Sequence, residues 1–248
     1  MRAHVRWDTV VDWFWRKRRR TPAFRLRSRE DAAPTTRIDL KEFTPAPVEY
    51  LARAAYLQLS LFEDCSRAVA IAPSTVAKQA LAAAAGEAID RHRALVALLD
   101  EQGVESTVEI DRYRSAVDRF QRLTPGQDWA EAALTCFLAG GFLGDLLLAL
   151  ADGLPRELAG RVRAVFATSS DDTFIDLFTG AIADNPRLAA RLALWGRRIL
   201  GDALLVARDV LSIDAAHGSS RDEERIEPAF SELVAQHTRR MDALGLSA

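Results

Sequence analysis

The residue types that most often do chemistry are sparse in this chain, which has four histidines and two cysteines among 248 residues. Only His92 sits on an apolar stripe. In GEAIDRHRALVALL it shares a helical face with Leu81, Ala85, Ala88, Leu95 and Leu99. An imidazole so placed is either a metal ligand or a core histidine held by Glu63 or Gln58 of the preceding helix, because a buried polar group needs a partner. His4 falls in a basic segment, His217 in a loop and His237 on the last expected helix. Cys65 and Cys136 lie in apolar helical stretches and read as buried free thiols, with no base nearby in sequence to activate either. The absence of a disulfide framework suits a reducing cytoplasm. Nucleophile-elbow, Walker-type and dinucleotide-binding glycine patterns are missing, so the common hydrolase and nucleotide-binding classes find no support.

A second group of residues suits contact rather than catalysis. VRWDTVVDWFWRKRRR places Trp7, Val10, Val11, Phe14 and Trp15 at helical spacings, then five cations, Arg16, Lys17, Arg18, Arg19 and Arg20. Residues 1–30 hold ten Arg and Lys against three Asp and Glu, a net of +7; with a formal charge of −2 overall, the rest of the chain carries −9. Three readings fit such an arm. It seats on an anionic membrane surface, each basic side chain contributing about 1 kcal/mol. It contacts RNA phosphates with release of counterions. Or it docks on its own bundle or a second copy of the chain, +7 facing −9. The cations follow the apolar patch rather than precede it, so the segment does not read as a secretory signal.

The elements that must position these residues are helices. Hydrophobic residues make up 49% of the chain, while Gly (13) and Pro (9) are few. Beyond a polar linker over 21–43, a long helix is expected from Thr44 as N-cap with Pro45 in its first turn, and a second from Ser74 to Gly103. A shorter helix spans about 106–123. An apolar one follows Asp128 to about ADGLP, and others cover about 155–182, 186–213 and 228–244, with a loop over AHGSSRDEER. No apolar run reaches the ~18 residues of a membrane span. Helices of about 25 residues joined by short loops pack as an antiparallel bundle. The whole helix inserted between the second and third long ones is the long crossover of ferritin-like four-helix bundles.

Four stretches, AYLQLSLFED, DRHRALVALLDEQG, RLALWGRRILGDALLVAR and AQHTRRMDALGL, together resemble a ferritin-like family of high-GC bacteria. That family is distantly similar to the tRNA hydroxylases acting on methylthio-isopentenyl-adenosine. The resemblance covers roughly residues 38–246 and implies a ferritin-like helical domain over 38–248, preceded by the arm and linker of 1–37. It also implies where a di-iron centre would lie: a Glu from each of two helices and Glu-x-x-His from each of the other two. Glu63 matches the first glutamate. His92 matches one histidine, but Ile89 stands where its partner glutamate is required. Glu87 is about 140° from the face of His92. The third-helix glutamate falls at Gly144 or Asp145. In ATSSDDTFIDLF, Thr168 and Asp171 replace Glu-x-x-His. Without bridging carboxylates two divalent ions would repel one another in a core of low dielectric. A single ion on Glu63, His92, Asp145 and Asp171 is the metal site that the sequence leaves.

The expectation is therefore an all-α ferritin-like antiparallel four-helix bundle with additional helices and a degenerate di-iron site. As a non-catalytic binding or scaffold module it needs no cofactor, and its candidate partners are RNA, an anionic surface or a second copy of itself. The alternative is an oxidoreductase resembling the tRNA hydroxylases, with iron or manganese at the rebuilt site.

Overall fold

The computed structural model describes residues 40–169, 171–211 and 220–247, with side chains of the last segment from Ile226 onward. The aromatic and basic residues of the arm, the boundary at residue 37 and His217 lie outside the described residues. Those described are helical, with no strand among them.

Helix α1 (Pro47–Ile71) starts one proline later than expected. Ala46 precedes Pro47, and a residue before proline is pushed out of the helical region; its ψ is 149°. The Thr44 hydroxyl, freed from capping, donates instead to the Leu150 carbonyl at 2.6 Å and ties the chain entry to the far end of the bundle. Helix α2 (Thr75–Asp100) is capped by Ser74, whose Oγ accepts from the Ala77 amide. With a three-residue connection, α1 and α2 form an antiparallel hairpin, the most extensive helix pair in the structure.

The expected 106–123 helix is broken at Arg112–Tyr113 into α3 (Ser106–Asp111) and α4 (Arg114–Leu123). The break lets Ile110, Val117 and Phe120 all be buried. Gly126 then turns the chain at φ +76°, where an added Cβ would lie 2.5 Å from the Ala132 amide. Asp128 accepts from the Ala130 and Glu131 amides, and Glu131 reaches back to the Gln127 amide, a reciprocal cap that starts α5 (Trp129–Ala151).

Helix α5 is apolar nearly all round and forms the centre of the core, touching α1 and three later helices: α6 (Arg156–Val165), α8 (Pro186–Val210) and α9 (Ser220–Ala243). Contrary to the sequence expectation, it is long and apolar enough to cross a membrane, but 72% of its most apolar stretch is buried by the protein. Its carboxylates are paired: Glu131 with Arg191 and Asp145 with Arg240. Tyr50 of α1 is pinned to it by a 2.8 Å hydrogen bond to the Leu147 carbonyl, and burial pushes that phenol up.

The expected helix over 155–182 is two helices, α6 and α7 (Asp171–Asp184). Thr168, Ser169 and Ser170 favour capping over helix interior, and the Ser169 hydroxyl accepts from the Asp171 amide. Helix α8 has Pro186 in its first turn, while Asn185 makes no side-chain cap. Helix α9 begins at Ser220 rather than near Pro228, which lies inside it and faces solvent. The stretch read as a loop is therefore helical from Ser220 onward.

Candidate functional site

Between α1, α2, α5 and the start of α7 lies a cavity of about 200 Å³, closed on one side by Arg240 of α9. Space for it comes largely from three glycines of α5. Gly140 receives the Leu61 side chain at 3.1 Å, and Gly144 has nothing within 4 Å of where a Cβ would stand. Gly141 cradles Arg240: a Cβ there would lie 2.7 Å from the guanidinium carbon. Each glycine costs a helix interior about 1 kcal/mol relative to alanine, so the stripe marks close approach rather than helix stability.

Two arginines face this space, each already held by a carboxylate. Arg240 binds Asp145 through both its terminal nitrogens, at 2.6 and 3.0 Å, and both side chains are about one-fifth exposed. Arg91 pairs with Glu87 one turn earlier, donates to the Thr168 carbonyl and lies over the Phe166 ring at 5.3 Å. Its Nε is buried with no hydrogen-bond partner. Asp171 lines the same cavity, beside the Phe137–Phe174 ring pair, whose centroids are 5.4 Å apart. Cys65 and Cys136 complete the wall, one turn from Leu61 and Gly140, which meet across the same two helices.

The four residues expected to hold a metal divide into two pairs. Asp145 and Asp171 line the cavity, and Glu63 and His92 do not. The Glu63 side chain is 51% exposed and lies 3.8 Å from Arg67. His92 is half-buried, and its Nδ1–H donates to the Ala55 carbonyl at 2.8 Å. It therefore binds the α1 backbone, not Glu63 or Gln58. Gln58 is buried, with its Oε1 unpartnered. The side of α2 that faces the cavity carries Ala84, Glu87 and Arg91 instead. Among the described residues, no three His, Cys, Asp or Glu side chains come together as a metal-binding group.

Outside the cavity, a histidine and an aspartate are strongly perturbed. His237, 1% exposed between α9 and α8, donates from Nε2 to the Gly196 carbonyl, and burial holds it down at about 4. Gly196 lets the two helices approach closely there, since a Cβ would lie 2.9 Å from the Met241 methyl. Asp64, paired with Arg67 and accepting from Gln121, is pushed up to about 6 by burial.

Sequence reasoning missed Arg91, Arg240, Glu87 and the meeting of the two cysteines. The one visible signal was the Gly140, Gly141 and Gly144 spacing in an otherwise bulky apolar helix. Long antiparallel helices around an internal polar cavity, with a helical crossover between the second and third of them, define an all-α bundle of the ferritin-like type. A family described as the ferritin-like domain of actinomycetes matches residues 41–220, and the chain belongs to it. The match ends where α9 begins, so the Arg240 wall is contributed from beyond it. No curated protein matches the chain.

Proposed function

We propose that this chain is a non-catalytic, cytoplasmic binding or scaffold module in which the di-iron site of a ferritin-like bundle has degenerated. The observation that carries this reading is the donor set at the cavity. Ile89 and Thr168 stand where the bridging glutamates would be required, and Glu63, the one matching glutamate of α1, does not line the cavity. The carboxylates that do reach the cavity from α2 and α5, Glu87 and Asp145, are each engaged by an arginine. A guanidinium in the ligand sphere competes with a cation for the same oxygens and repels it. The residues present therefore do not fit a di-iron group.

The cavity instead offers polar groups in fixed geometry against three phenylalanines, Phe137, Phe166 and Phe174, as small-molecule sites do. In this reading the arm of residues 1–37 is a separate contact element, docking on a bundle or engaging RNA or an anionic surface. A metal-dependent oxidoreductase resembling tRNA hydroxylases is the second reading, favoured only by Asp145 and Asp171 sharing one cavity. Melting the full chain with and without Fe²⁺ or Mn²⁺ separates the two. The binding module keeps its Tm. A metal-dependent rise that Asp171→Asn abolishes would favour the enzyme.

A further inference from the structure

Cys65 and Cys136 are supplied by different helices, α1 and α5, and meet at the cavity wall. Both are free thiols, 1% and 4% exposed. A cysteine that only fills core volume has no need of a second thiol opposite it, nor of a cavity beside it. These two have both. We propose that Cys65 and Cys136 form a redox-active dithiol that closes to a disulfide on reaction with a small organic disulfide admitted through the cavity.

The thiolate is the nucleophile, and either sulfur can open the exchange; the sequence is written here from Cys65. The Cys65 thiolate, having given up its proton to solvent, attacks one sulfur of R–S–S–R. The new bond is Cys65–S–S–R, and one RS⁻ leaves. Cys136 then loses its proton and its sulfur attacks Cys65 Sγ, expelling the second RS⁻. The two thiolates take up the two protons, so two RSH form, the small disulfide is reduced and the cysteine pair is oxidised by two electrons. Closure sets the sulfurs about 2.05 Å apart and ties α1 to α5 at the cavity wall. The inference is independent of what else the cavity binds.

The test uses the full chain and oxidised 2-mercaptoethanol as the probe, in native buffer with an acid quench. The expected result is loss of both thiols on titration in denaturant, with a monomer mass lower by two hydrogens, about 2 Da, and recovery on adding dithiothreitol. Cys136→Ser should stop at a mixed disulfide that retains half of the probe. Cys65→Ser should stop at the same stage, since it too lacks a second thiol to resolve the adduct. The parent chain alone decides the main point, so a variant that fails to fold leaves it testable. Two titratable thiols remaining after prolonged exposure would overturn the proposal. So would a probe adduct that never closes, or a covalent dimer.

Discussion

Acidification should act on two buried groups in opposite directions, and variants separate them. Protonating His237 means charging a ring that is 1% exposed and already donates to Gly196. Arg240, on the same helix, adds to the penalty after burial itself. Its pKa is about 4 when folded and near 6.5 when unfolded, so between those values the unfolded chain holds the extra proton. The stability it contributes is full above pH 6.5 and is lost as pH falls to about 4. At about 1.4 kcal/mol per pH unit the loss is about 3 kcal/mol. Asp64 runs the other way, about 6 folded against 3.8 unfolded. It burdens the fold above pH 6 and relieves it by about 3 kcal/mol on descent to 3.8. The two terms nearly cancel in the parent chain. Urea melts followed by circular dichroism from pH 4 to 7.5 resolve them as differences. The stability advantage of the parent over His237→Gln should shrink by about 3 kcal/mol toward pH 4. Asp64→Asn, more stable than the parent at pH 7, should lose that advantage over the same range. Differences independent of pH would refute the burial argument for both groups.

Further outcomes follow from the helix contacts. His92→Ala should cost about 1–2 kcal/mol, through loss of its bond to Ala55 and of packing against α1, with no change in any Fe²⁺ effect on the melt. Arg240→Met should cost about 2 kcal/mol by stranding Asp145, a value between exposed and buried pairs. Gly141→Ala should destabilise the parent by displacing that guanidinium, yet stabilise the Arg240→Met background by up to about 1 kcal/mol of helix propensity. The same sign in both backgrounds would contradict the cradle. A chain lacking residues 1–37 should retain a helical spectrum and a cooperative melt, because the described residues from Leu40 to Leu246 form one continuous core.

Helix type and order were legible because α1, α2, α5 and α8 are long stretches rich in Ala and Leu with few Gly or Pro, and because Ser74, Asp128 and Pro186 act locally at helix starts. The start of α1 was misread because two prolines compete and the constraint on Ala46 decides between them. The candidate site was far less legible. Helix α2 has two buried sides, one toward α1 and one toward the cavity, and its many alanines leave no single stripe. His92 marks the first side, whereas Glu87 and Arg91 mark the second. Arg240 lies 95 residues from Asp145, and nothing in local sequence announces that they meet. The cysteine pair is of the same kind, since each thiol alone reads as ordinary core.

The central claim, that the cavity has lost the metal chemistry of its fold class, is tested most directly by elemental analysis. The full chain would be expressed with iron and manganese supplied and purified without chelator, and metal measured against protein by mass spectrometry. The account predicts a colourless protein with well under one transition metal per chain. About two iron or manganese ions per chain would contradict it, and would mean that Asp145 and Asp171 exchange their present surroundings for a metal.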